Sequence, residues 1–196
     1  MGLIDLVLAD PVFFDWQQRL CNNYDSIPRH FADYLDVTGK DILEIGCSTA
    51  ACAKAAVKMD RNRYIGIDII SKYVEFAAKR SPQGTFITMD ARELTFDAHS
   101  FDVVLIVGAL HHMDPETVRA CFKEIKRVLR NDGVVLCAEP LFTPGKWFSN
   151  FLLRNDRGRY IRTEAGYRGL FEGFTIAREG YFRFSAHRFA SFVLQK

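Results

Sequence analysis

From residue 41 onward, short runs of β-branched and aliphatic residues alternate with segments whose apolar positions recur every three or four residues. Asp41-Ile-Leu-Glu-Ile-Gly46 predicts a strand, and the Ala-rich stretch from Thr49 to Met59 predicts a helix. Tyr64-Ile-Gly-Ile-Asp68 is the next strand. Ser71 to Lys79 follows as a helix, with Tyr73, Val74, Phe76 and Ala77 forming an apolar stripe. Thr85 to Met89 and Phe101 to Val107 are two further strands, the second so continuously apolar that it predicts burial on both faces of a parallel sheet. A helix is predicted from Pro115 to about Leu129, carrying Val118, Cys121, Phe122, Ile125, Val128 and Leu129 on one face. Asn131-Asp-Gly133 reads as its stop signal and Val134 to Ala138 as the strand beyond. The runs Gly180 to Ser185 and Arg188 to Leu194 are close enough to pair as an antiparallel hairpin.

Repeated β-α-β units dictate parallel strands, right-handed crossovers and helices on both faces of the sheet. Such a sheet binds ligands at the carboxyl ends of its strands, where the strand order reverses. The chemistry is therefore expected at Glu44 to Ser48, Asp68, Asp90, Val107 to His112 and Glu139. The flanks differ from this centre. Residues 1–38, with Trp16, Tyr24, Phe31 and Tyr34, predict a helical cap over the sheet. Residues 141–170 are broken by Pro144, Gly145, Gly158, Gly166 and Gly169 and carry Arg154, Arg157, Arg159, Arg162 and Arg168. That stretch is the expected substrate-facing insertion, since loops on a rigid scaffold carry specificity.

Composition narrows the classes without adding to the pattern. The 196 residues fit a single domain, large enough to remove about 70% of the unfolded surface from water. With 26 Lys plus Arg against 24 Asp plus Glu, the net charge of +2 gives no long-range pull on phosphates, so nucleic acid is an unexpected partner. No apolar run approaches the ~20 residues of a membrane span. The N-terminus has no basic region before its short apolar run, and Leu6 stands where a myristoylation signal wants Ser or Thr. Five cysteines (Cys21, Cys47, Cys52, Cys121, Cys137) without a C-x-x-C pair read as reduced thiols of a cytoplasmic protein.

In the first strand-to-helix turn, Gly46 permits close backbone approach to a ligand and the helix start offers free N–H groups to an anion. Twenty-two residues further, Asp68 ends the second strand, where a carboxylate can accept both hydroxyls of a ribose. Of the dinucleotide fingerprint G-x-G-x-x-G only the first glycine is present, which argues against a pyrophosphate-bearing cofactor and so against a dehydrogenase.

Taken in order, Ile42-Leu-Glu-Ile-Gly-Cys-Ser48, Gly66-Ile-Asp68, Thr88-Met-Asp90-Ala91, Phe101-Asp-Val-Val with Ala109-Leu-His-His-Met113, and Arg127 to Gly133 with Glu139-Pro140 resemble the motifs of the class I S-adenosylmethionine-dependent methyltransferases, especially the small-molecule group that includes quinone-biosynthesis enzymes. The resemblance covers roughly residues 38–140. It implies an α/β, Rossmann-like doubly wound, mostly parallel seven-stranded sheet ending in the antiparallel hairpin, organised as 1–38 cap, 39–140 cofactor-binding core, 141–170 insertion and 171–196 hairpin.

The resemblance also implies roles. Glu44 and the backbone of Gly46, Cys47 and Ser48 would hold the methionine end of S-adenosylmethionine. Asp68 would take its ribose and Ile69 would lie on the adenine face. Asp90 and Ala91 would meet the adenine edge, and Val107 and Gly108 would line the methionine moiety. Ser48 and Ala50 depart from the glycines the family usually carries there. His111, then His112, then Glu139 are the candidates for a general base, imidazole being the group that titrates near neutrality. No metal site is expected from two adjacent histidines. The acceptor is expected to be a partly apolar or anionic small molecule. The rival readings are an RNA methyltransferase and a catalytically silent partner subunit with the same fold.

Overall fold

The computed structural model describes residues 10–13, 15–16, 26–143, 145–147, 150, 153, 158–184 and 187–196. Tyr24, Cys21, Arg154, Arg157 and Pro144, singled out above, lie outside the described residues. Seven strands form one sheet in the order β3-β2-β1-β4-β5-β7-β6: β1 Asp41–Ile45, β2 Arg63–Asp68, β3 Thr85–Thr88, β4 Phe101–Val107, β5 Leu129–Leu141, β6 Thr175–Phe184 and β7 His187–Gln195. The first five strands pair in parallel, and β7 joins β5 antiparallel and carries β6 on its outer side. The order reverses between β1 and β4, which places the crevice at their carboxyl ends.

Alternation along β1 decides which side chain serves which face. Ile42 joins Ile27, Phe31 and Leu35 of helices α1 (Ser26–His30) and α2 (Ala32–Leu35), together with Ala53 and Ala56 of α3 (Ala51–Ala56). Leu43 and Ile45 pack on the opposite face with Val118, Phe122 and Ile125 of α5 (Pro115–Val128). The period of two therefore sends Glu44 to the α3 side, where no apolar partner is needed and a polar one must be found. Helix α4 (Ser71–Arg80) buries Tyr73, Val74 and Ala77, three of the four stripe positions in its sequence.

Asp114 caps α5, its carboxylate accepting from the Thr117 N–H at 2.8 Å, and Pro115 occupies the first turn where its missing N–H is harmless. The C-terminal end of α5 differs from expectation. Asn131-Asp-Gly133 is not the stop of the helix: extended backbone starts at Leu129, and β5 runs through those residues to Leu141. The pairing with β4 jumps from Phe101↔Leu129 to Val103↔Val134, so the turn-forming triplet is absorbed as a bulge. Gly133 is needed there because a Cβ would come within 2.9 Å of the Asp102 carbonyl. The helix expected over 49–59 is likewise confined to Ala51–Ala56, its first residues being drawn into the turn described next.

Candidate active site

The turn after β1 is built by backbone. Gly46 and Cys47 both donate their N–H groups to the Ile67 carbonyl at 2.9 Å, folding the chain back over the end of β2. Gly46 has φ +73°, and a Cβ on it would sit 2.7 Å from the Cβ of Ala109, so the turn and the exit of β4 meet where only glycine fits. Ser48 at φ +49° and Ala50 at φ +59° are also left-handed. That conformation costs a side-chain-bearing residue about 1 kcal/mol, which is the physical reason for glycine at such positions. The Ser48 hydroxyl is buried and has no hydrogen-bond partner among the described residues.

Ser48 N–H donates to one oxygen of Asp68 at 3.0 Å and Ile70 N–H to the other at 2.9 Å. Burial raises the Asp68 pKa above the ordinary range, while the N–H groups of Ile70, Ser48 and Ile69 pull it back. Beside this carboxylate Ile69 is 68% exposed and Ile70 is exposed as well, an apolar ledge at the mouth of the crevice. Glu44 lies beneath it, wholly buried, accepting from the Tyr64 hydroxyl. Burial pushes its pKa up to about 7, with Asp68 adding to the rise and Tyr64 and Cys52 opposing it.

Asp90 follows β3, where its carboxylate is gripped by the Arg92 guanidinium at 2.6 and 3.0 Å, and Arg92 holds its pKa down. Ala91 beside it is buried. Val107 and Gly108 close β4, Gly108 at φ +63° donating its N–H to the Ala138 carbonyl at 2.8 Å. The turn thus brings together Glu44, Gly46, Cys47, Ser48, Asp68 and Ile69, while Asp90, Ala91, Val107 and Gly108 stand on the neighbouring strand ends of the same sheet edge.

Across β5, Glu139 and His111 form a buried pair. Glu139 is fully buried, and four groups converge on its two oxygens: the N–H of Ala109 at 2.9 Å, of Leu110 at 2.7 Å and of His111 at 3.2 Å, and the His111 Nδ1 at 2.8 Å. His112 is exposed and stacks obliquely on His111, ring centres 4.1 Å apart. A strap from residues 158–163 covers the pair from outside. Tyr160 N–H donates to the His111 carbonyl at 2.9 Å, and Arg162 donates to the carbonyls of Leu110 at 2.9 Å and Met113 at 2.6 Å.

Two of the arginines expected to face a substrate are therefore engaged internally: Arg162 in this clamp, and Arg168 in ion pairs with Glu164 and Glu179. Sequence reasoning also missed Asp15, which is buried, accepts from the Thr49 hydroxyl at 3.2 Å and pairs with Arg80, tying the N-terminal segment to the turn after β1. No local pattern marks a contact spanning 34 or 65 residues. Among the described residues no group of three His, Cys, Asp or Glu side chains could hold a metal ion.

Residues 42–133 match the family described as "Methyltransferase domain". Among curated proteins the chain is 31% identical over 139 residues to the eEF1A lysine and N-terminal methyltransferase homolog of Drosophila pseudoobscura pseudoobscura, an alignment covering 65% of this chain and 20% of the relative. It is 32% identical over 141 residues to the phthiotriol/phenolphthiotriol dimycocerosates methyltransferase of Mycobacterium leprae, covering 68% of this chain and 52% of that one. The chain thus spans only a fifth to a half of these relatives. In fold it is similar to a SAM-dependent methyltransferase from Methanosarcina mazei (TM-score 0.70, 18% identity, 85% of this chain and 96% of the other). It is similar in the same way to one from Aquifex aeolicus (TM-score 0.68, 12% identity, 90% and 91%).

Proposed function

We propose that this chain, which carries a class I S-adenosylmethionine-dependent methyltransferase domain, transfers the methyl group of that cofactor to a small, partly apolar or anionic acceptor. The observation that carries the reading is the Asp68 carboxylate at the end of β2, fixed by the Ser48 N–H that closes the glycine turn and flanked by the exposed Ile69. The residues fit the cofactor. A backbone turn without side-chain bulk at Gly46 suits close approach, a carboxylate with lone pairs to spare suits ribose hydroxyls, and an apolar ledge suits a purine face.

In this reading Gly46, Cys47 and Ser48 hold the methionine end, and Glu44, 2% exposed and close beneath, attracts its ammonium. Asp68 and Ile69 hold the ribose and adenine, Asp90 and Ala91 the adenine edge, and Val107 and Gly108 the opposite wall. When bound, the cofactor supplies a methyl group already activated on a sulfonium. What remains for the chain is orientation: holding nucleophile and methyl in line about 3 Å apart, which supplies several kcal/mol. His111, buried beside Glu139 just beyond the end of β4, is the first candidate for a base, ahead of His112. Glu139, which accepts from three backbone N–H groups and contacts the His111 ring, is the third candidate. Trp147, 78% exposed, and the exposed Tyr160 supply aromatic surface in the 141–170 insertion for a partly apolar acceptor.

Calorimetric titration with S-adenosylmethionine and S-adenosylhomocysteine tests the reading. Micromolar binding is expected, weakened 100-fold or more in Asp68→Ala. Silence from folded protein overturns it and favours a partner subunit that has kept only the fold.

A further inference from the structure

Glu44 is held by residues behind it that belong to no sequence motif. On β2, Tyr64, Gly66 and Asp68 share a face, and in the parallel register Tyr64 stands opposite Ile42 and Gly66 opposite Glu44. The tyrosine therefore reaches its acceptor diagonally, over the glycine, and its hydroxyl donates to Glu44 Oε2. A Cβ on Gly66 would lie 2.8 Å from that hydroxyl and 2.8 Å from the Cβ of Cys47. A Cβ on Gly84 would lie 2.9 Å from Cδ1 of the same ring, which also meets Phe86 at 5.7 Å between centres. A glycine inside a strand weakens it, and its usual reason is the close approach of another group. Here two glycines make room for one side chain, 2% exposed, whose hydroxyl is spent on Glu44.

The surroundings of Glu44 leave its charge finely balanced. Tyr64 from β2 and Cys52 from α3 hydrogen-bond to it, and Asp68 and Cys47 at the strand-end turn are the other titratable groups that act on it or feel it. Among the described residues no Lys, Arg or His is bonded to Glu44 or to Asp68. Burial favours the neutral acid and pushes the pKa up to about 7, while the hydrogen bonds from Tyr64 and Cys52 favour the carboxylate. One hydrogen bond, or one cation brought near, is enough to decide between the two forms.

We infer that Tyr64 is a positioning residue for cofactor recognition: its hydroxyl holds Glu44 ready to ionise, and the cofactor's ammonium drives the Glu44 proton out to solvent as it binds. This rests on the methyltransferase reading above. Neutral Glu44 and the ammonium-bearing ligand give a carboxylate–ammonium pair and one proton, which the buffer takes; no bond to carbon or sulfur changes. Recognition of the amino-acid end of the cofactor thereby depends on pH through Glu44. Asp68 faces the ribose of any nucleoside ligand, so ligands with and without the amino-acid end separate the two carboxyls.

Calorimetry with two such ligands tests the inference: S-adenosylhomocysteine, which carries the ammonium, and 5′-methylthioadenosine, which keeps the nucleoside and lacks the amino-acid end. In the wild type, S-adenosylhomocysteine should lose about 10-fold in affinity relative to 5′-methylthioadenosine between pH 7 and pH 5.5, a range in which its own amino group stays protonated. Titration in buffers of different ionisation heat should show about half a proton released per S-adenosylhomocysteine bound at pH 7, approaching one at pH 6, and none for 5′-methylthioadenosine. Glu44→Gln should abolish both signals.

Tyr64→Phe keeps the ring that fills the core and removes a donor to the carboxylate, so the Glu44 pKa rises and the acidic limb of binding moves to higher pH by about one unit. At pH 7 S-adenosylhomocysteine should weaken roughly 5-fold while 5′-methylthioadenosine is unchanged. Equal pH dependence for the two ligands, binding of S-adenosylhomocysteine without proton release, or a Tyr64→Phe effect shared equally by both ligands overturns the inference. Failure of both ligands to bind folded wild-type protein overturns the underlying reading instead.

Discussion

Two pairs of carboxyls, one at each end of the parallel sheet, are held in opposite ways. Where the strands begin, Asp41 and Asp102 lie side by side, bridged by Arg130, with Arg63 and Lys40 completing the network. Burial alone would raise both carboxyls. The Arg63 and Arg130 guanidinium groups at Asp41, and the Asp41 N–H, Arg130 and Lys40 at Asp102, outweigh it and hold both pKa values low. Where the strands end, Glu44 is buried and Asp68 half-buried, with N–H and O–H donors and no cation bonded to either among the described residues, and both pKa values are raised. At one end the carboxylates are matched by cations of the chain itself. The other holds two carboxyls whose pKa values burial raises and that have no cationic partner among the described residues, together with two strained left-handed residues and an apolar ledge. Fields of that kind gather at functional sites.

The largest test of this contrast is the pH dependence of stability. Glu44 has an ordinary pKa when unfolded and about 7 when folded, so the folded state prefers the proton and stability falls as pH rises from roughly 4.5 to 7. Glu44→Gln removes that cost. The variant should unfold at higher urea than wild type at pH 8, by about 3 kcal/mol at 1.36 kcal/mol per unit, and show little difference at pH 4.5. Asp102 has the opposite sign, since its lowered pKa contributes stability above the unfolded value that is lost as pH falls through the folded one. Asp102→Asn should therefore cost about 1–2 kcal/mol at pH 7, and the difference from wild type should shrink below pH 4. Parallel pH profiles for the two variants would break the contrast.

A smaller effect is expected at the strained turn. Ser48→Gly relieves a left-handed side chain and removes a buried hydroxyl without a described partner, so it should stabilise the fold by about 1 kcal/mol in the same urea assay. An unchanged or lower midpoint would show that the hydroxyl is satisfied in solution.

Much of this edge was legible before the fold was known, because its elements are local. Gly46 follows a five-residue strand, Asp68 ends the next one, and the alternation of apolar runs marks five parallel strands without any tertiary information. The pairing of His111 with Glu139 was not legible. Each stood out alone as a possible base, but the hydrogen bond between them joins residues 28 apart through a sheet register no pattern prints. Arg162 falls in the stretch expected to face the substrate, and its internal clamp is illegible for the same reason, since its acceptors are backbone carbonyls 49 and 52 residues away and carry no sequence signal. Asn131-Asp-Gly133 misled in the other direction. The triplet has turn propensity, but tertiary pairing of Leu129 with Phe101 claims the chain first and the turn survives only as a bulge.

The central claim is that ligand binding belongs to one end of the sheet and stability to the other. Amide chemical-shift mapping with S-adenosylhomocysteine measures this directly. The account predicts large, saturable shifts at residues 46–50, 68–70, 90–91 and 107–112, with residues 40–41, 63, 102 and 130 unmoved; shifts centred on the latter group, or spread evenly over both ends, would contradict it.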